Sequence, residues 1–218
     1  MNSRQKGFTL IEIAIVLVII GLLLGGVLKG QELITGARVR NFIQQQDGIK
    51  AAYFGFLDRY RALPGDYSQA VANITGVLET SGCGKTGTGD GDGDGQIGSA
   101  TFENILVWEH LSKSGFINGS YTCAKTATSA TSPSNPYGSV LNLVYDDGFQ
   151  GAGKASRHNL KTGGQVPSDI LAEIDRKVDD GNPIQGSFRA PVTANAACFA
   201  AAWVTKEPGP NCEGITLF

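Results

Sequence analysis

Few residues of this chain combine type and spacing in a way that could do chemistry, and most of them are carboxylates. Asp90, Asp92 and Asp94 alternate with glycines ahead of Gln96 and Ile97, and alternate carboxylates in a tight turn converge on one point, as the ligands of a hard cation do. Gly95 supplies the turn, the Gln96 carbonyl adds an oxygen, and Ile97 holds the apolar position of an EF-hand-like loop, so calcium is the cation this set suits. Thr101 stands where such a loop closes on a bidentate Glu. Glu103 or Glu109 is left as a substitute, and a solvated Asp/Gly loop as the alternative. Gly84-Lys85-Thr86 invites a phosphate-loop reading, but that pattern needs glycine at position 79, which is Glu79. The two histidines, His110 and His158, have no accompanying nucleophile or ligand cluster, so catalysis is not indicated. His110 is expected to pack or lie on the surface, and His158 to be exposed. The remaining candidate is Glu12, the one charge among the 21 residues from Phe8 to Leu28.

Four cysteines, Cys83, Cys123, Cys198 and Cys212, all lie beyond that apolar run, and none forms a C-x-x-C pair. An even number so spaced suits disulfides in an oxidising compartment better than zinc, with three connectivities open. Cys83–Cys123 with Cys198–Cys212 is the favoured one, the second bridge enclosing Pro208-Gly-Pro210 and pinning a terminal hairpin. The net charge of −2 gives no electrostatic case for nucleic acid. Thirty glycines in 218 residues predict long, irregular connections.

The element that must position Glu12 is a helix long enough to cross a membrane. At 1.5 Å per residue, Phe8–Leu28 would extend roughly 31 Å, about one hydrocarbon core. A carboxylate at the centre of that layer costs about 2.5–3.5 kcal/mol, so such a residue usually has a partner and a task. A secretory signal carries its small residues after the apolar core, whereas Gly7 stands before it, beside Arg4 and Lys6. Those basic residues should stay cytoplasmic while the rest is exported. Leu33, Ile34, Ala37, Ile49, Ala52, Tyr53, Phe56, Leu57 and Tyr60 continue one stripe at three- and four-residue steps. The helix therefore spans 8–63 and stops before Pro64-Gly65-Asp66. Gly21 and Gly25 form a GxxxG pattern that permits close helix contact. Gly25, Gly26, Gly30 and Gly36 each weaken a helix in water by about 1 kcal/mol, so assembly either melts this zone locally or the glycines only reflect membrane-helix composition.

Lys6-Gly7-Phe8-Thr9-Leu10-Ile11-Glu12 resembles the processing site of type IV prepilins and of the related pseudopilins of type II secretion. The resemblance implies a leader of residues 1–7, cleavage between Gly7 and Phe8 by a prepilin peptidase, and N-methylation of Phe8. It implies that Glu12 pairs with the terminal amine of a neighbouring subunit, which fits the physics: each charge lowers the cost of burying the other. It also implies an inner-membrane assembly platform. This chain has no nucleotide site, so the assembly ATPase must be a separate partner. A terminal cysteine pair resembles type IV pilins, whereas a calcium loop resembles pseudopilins.

Beyond Pro64, residues 67–78 read as short helix or loop. A helix is expected over 99–114, with Phe102, Ile105, Leu106 and Leu111 buried, and another over 167–180, with Ile170, Leu171, Ile174 and Val178 sharing a face. Asp179-Asp180 ahead of Gly181 reads as helix-stop chemistry rather than an ion site. Strands are expected over 116–123, 139–145 as a central strand, 187–192, 198–205 and 214–218, with 149–164 irregular. The fold class is α+β: a long protruding N-terminal helix on a small antiparallel sheet, with short extra helices and long loops in a 64–218 extracytoplasmic domain.

The function expected is a structural filament subunit of a pilus or secretion apparatus. It is held single-pass in a bacterial inner membrane with its C-terminus periplasmic, then built with copies or cousins of itself into an extracellular or periplasmic fibre. The alternatives are a minor subunit whose domain binds a substrate, surface or DNA, and an anchored periplasmic enzyme, which the lack of a catalytic grouping disfavours.

Overall fold

The computed structural model describes residues 9–218 apart from Thr80 and Ala194; the processing and methylation positions, Gly7 and Phe8, lie outside the described residues. The chain divides into two compact units, one up to Arg40 and one from Asn41 to Phe218. Helix α1, Leu10–Tyr60, runs through both.

In the first unit α1 turns its apolar side chains outward all round. Leu10 is 93% exposed and Leu22 73%, and Ile11 to Leu28 are exposed throughout. A helix hydrophobic on every side has no face for water, so its surroundings must be apolar. The helix ends three residues earlier than the stripe predicts. Arg61 adopts a left-handed conformation (φ 54°) while its N–H still donates to the Leu57 carbonyl at 2.9 Å. Leu63 precedes Pro64 and is barred from helical geometry.

In the second unit the same helix behaves conventionally. Phe42, Ile49, Ala52, Tyr53 and Phe56 are buried, and the last four pack with Ile97, Val107, Trp108, Leu111, Leu141, Leu143 and Leu160. Four short strands, β1 (Asn142–Asp146), β2 (Arg157–Lys161), β3 (Phe188–Arg189) and β4 (Ile215–Leu217), form one antiparallel sheet in the order β1-β2-β4-β3. The face toward α1 carries Leu143 beside Leu160 and Tyr145 beside His158, and the Thr216 hydroxyl donates to Gln46 Oε1 at 2.7 Å.

Three helices complete the unit: α2 (Ala70–Asn73), α3 (Glu103–Lys113) and α4 (Ser168–Val178). Helix α3 starts four residues later than expected because Phe102 is left-handed (φ 59°), which places Glu103 in the first turn facing the acidic loop. Val178, expected on the buried face of α4, is 37% exposed at its end.

The sheet differs from the expected one in four places. Residues 116–123 form no strand: the Phe116 and Ile117 amides bond the Leu111 carbonyl (2.9 and 3.3 Å) and close α3. The Phe116 ring lies 2.8 Å from where a side chain on Gly55 would begin, so its apolar content covers α1 instead of joining a ladder. The run at 139–145 yields β1 at an edge, not the centre. One interior position goes to β2, inside the stretch read as irregular, because hydrogen bonding on both sides makes a strand of a sequence with little strand character. Residues 198–205 make a tight turn bridged at Phe199 and Trp203.

Both favoured disulfides form, Cys83–Cys123 and Cys198–Cys212. The second does not pin a terminal hairpin: Cys212 bridges to Val166, and the Ser168 hydroxyl donates to the Val204 carbonyl at 2.6 Å. The loop it closes therefore buttresses the start of α4.

Candidate functional site

At the head of α1, Thr9 and Glu12 cap the helix reciprocally. Thr9 N–H and its hydroxyl donate to Glu12 Oε2 (2.8 and 2.7 Å), and the Glu12 amide reaches the Thr9 hydroxyl oxygen at 3.4 Å. This is a capping box, which satisfies orphan donors of the first turn and seats an anion at the positive end of the helix dipole. The Thr-x-x-Glu spacing was a readable signal for it, and Thr9 is the participant that sequence reasoning missed. Glu12 Oε1 takes no bond in the box, so the carboxylate keeps one oxygen for an outside cation.

The acidic loop is organised differently from its sequence pattern. Only Asp92 of the aspartate series joins a carboxylate cluster, and its companions are Asp66 and Glu103, with oxygens within 4.8 Å of one another. Asp66 is held by the amides of Gly93 (2.6 Å), Asp94 (3.0 Å) and Gly95 (2.9 Å). Glu103 accepts from Asp92 N and Gly98 N, both at 2.9 Å. Burial pushes the proton affinity of both carboxyls up, and the amides only partly offset it. Asp90 instead bonds Val71 N (2.9 Å) and Asp94 bonds Gln96 N (2.8 Å). Of the two substitutes, Glu103 reaches the loop, whereas Glu109 bonds the amides of Leu78 and Cys123 (2.9 and 2.6 Å). A hard cation here would take Asp66, Asp92 and Glu103. Asp66 was missed because it lies 26 positions before Asp92 (92 − 66), and its one signal was the helix-stop segment Pro64-Gly65-Asp66.

A family model of the prokaryotic N-terminal methylation motif matches residues 2–28. This chain carries the prepilin-type motif. The motif is the one carried by pilin- and pseudopilin-like subunits and supports that reading, and the exposed apolar helix suits a membrane-anchored precursor. No curated protein and no solved structure matches the chain.

Families bearing the prepilin-type motif are structural rather than catalytic. Both histidines of this chain sit in packed surroundings. His110 is fully buried on α3, accepting at Nδ1 from Gly65 N (3.0 Å) with Nε2 on the Gly89 carbonyl (2.9 Å). Those bonds fix one neutral tautomer, and burial pushes its pKa down to about 4. Gly65 itself has φ 90°, and a side chain there would meet the Glu103 carbonyl at 2.7 Å, so the ring holds a turn only glycine fits. His158 is not exposed as expected: its ring lies 5.9 Å from Tyr53 and 5.0 Å from Tyr145, and burial lowers its pKa.

Proposed function

We propose that this pilin-like chain is a structural subunit of a type IV pilus or related secretion filament, cleaved after Gly7, methylated at Phe8 and assembled through α1. The observation that carries the reading is the outward apolar surface of Leu10–Leu28 immediately behind the matched motif. In lipid that surface gains nothing by pairing with another helix, but withdrawn toward water its burial contributes about 25 cal/mol per Å². Extraction needs work, so a membrane assembly platform and a separate ATPase act on the subunit. Prepilin peptidase acts before them, and the filament lies outside the inner membrane.

Glu12 sets the register. Its capping box holds the carboxylate in place and leaves one oxygen for the amine of a neighbouring copy or pilin-like cousin. Calcium at the acidic loop, on Asp66, Asp92 and Glu103, stiffens the connection between α1 and α3 in this reading. Chelation should then lower the melting temperature of wild type by more than that of Asp92→Asn.

Intact mass tests the central proposal. The mature chain should begin at Phe8 and carry one methyl group, and recovery of an uncut Met1 form alone from assembling cells would overturn it. Copy number in purified filaments then assigns the subunit as major or minor.

A further inference from the structure

We propose that the carboxylates of Asp175, Asp179 and Asp180, at the C-terminal end of α4, form a hard-cation site that takes calcium and is separate from the acidic loop. The three offer oxygens within 4.8 Å of one another. Asp179 and Asp180 do the helix-stop work their sequence suggests: Asp179 Oδ2 accepts from the amides of Ser187 and Phe188, and Asp180 Oδ1 from Asn182 N at 2.8 Å. Asp175 is not explained that way. It is fully buried, one turn back along α4. Its Oδ2 accepts from Trp203 Nε1 at 2.7 Å, while its Oδ1 is buried with no hydrogen-bond partner.

A buried carboxylate oxygen without a donor is costly, and here two further carboxylates stand beside it. Among the described residues, the ion pairs Arg61–Asp58, Lys161–Asp146 and Lys177–Glu173 involve none of the three. The amide of Gly181 approaches the Asp175 carboxyl without closing a hydrogen bond on Oδ1.

The location supplies more of what a cation needs. Unsatisfied carbonyls and the negative end of the dipole collect at a helix C-terminus. The hydrogen bonds above occupy Asp175 Oδ2, Asp179 Oδ2 and Asp180 Oδ1, which leaves the other oxygen of each carboxylate as a ligand. An all-oxygen set without nitrogen or sulfur suits calcium, with backbone carbonyls and water completing six to eight contacts. The ion would clamp the end of α4 to the segment that enters β3.

Trp203 makes the site its own reporter. Terbium, a luminescent stand-in for calcium, is titrated into the full chain in detergent micelles with excitation of tryptophan. Sensitised emission should saturate, be displaced by calcium chloride, and persist in Asp92→Asn. In Asp180→Asn, an exposed position, and in Asp175→Asn, which keeps an oxygen for Trp203 Nε1, apparent affinity should fall about tenfold or more as a ligand charge is lost. Circular dichroism checks that both variants fold. Three results would overturn the proposal: no emission above that of free terbium, titrations in both folded variants that match wild type, or loss of emission in Asp92→Asn.

Discussion

The two halves of α1 are one helix under two regimes. From Leu10 to Leu28 every side chain is exposed, whereas Phe42, Ile49, Ala52, Tyr53 and Phe56 farther along are buried in the domain. The second half has its partner in its own sequence. The first half has none among the described residues, so its stability depends on lipid or on other subunits. Burial in the domain is fixed at folding, while in the filament reading proposed above burial of the first half is decided by assembly.

That contrast is broken hardest at Glu12. Glu12→Ala should abolish incorporation into filaments while leaving the melting temperature of the domain unchanged, and normal filaments would refute the register role. Glu12→Gln sharpens the point because it keeps a capping oxygen and removes only the charge. Assembly by the Gln variant would make the cap, usually worth about 1 kcal/mol, the operative feature.

The mirror-image change lies in the second half. Phe56→Ala, at a fully buried ring, should destabilise the domain by about 3–5 kcal/mol yet leave membrane insertion intact, as read by denaturant unfolding and by membrane fractionation. The disulfides come next. Loss of Cys83–Cys123, spanning 40 residues, should cost about 4 kcal/mol, and loss of Cys198–Cys212, spanning 14, about 3 kcal/mol. Unfolding of the two Cys→Ala pairs checks that order, and neither pair should alter insertion.

The smallest effect expected is the pH response of His110. Its folded pKa of about 4 lies below the unfolded value of about 6.5, so the unfolded chain takes the proton first. Its contribution is therefore full above pH about 6.5 and is lost as pH falls toward 4, at most about 3 kcal/mol in total. Imidazole chemical shifts should titrate with a midpoint near that low value, and an ordinary midpoint would show that the ring is not sealed in.

Much of the molecule was legible where the signal is local. The spanning run, the continuing stripe and both short helices follow from periodicity and spacing, the favoured cysteine pairing was one of three left open, and Pro64-Gly65 marked the end of α1 to within three residues (63 − 60). The sheet was read less well. Phe116 to Cys123 has strand-like residues but spends them sealing α1, while Arg157 to Lys161 lacks them and becomes an interior strand because neighbours bond it on both edges.

The sequence by itself determined the apolar rod, its lone acid and the oxidised cysteines, because each depends on composition along a few consecutive residues. Only the tertiary structure decided which carboxylates meet. Asp66 joins Asp92 and Glu103 because a chain crossing brings distant positions together, and Asp175, one turn from Asp179 and Asp180, is buried beside Trp203, which spacing along a helix does not reveal. Burial then sets what those groups can do, because removing a carboxylate from water changes its demand for a proton or a cation.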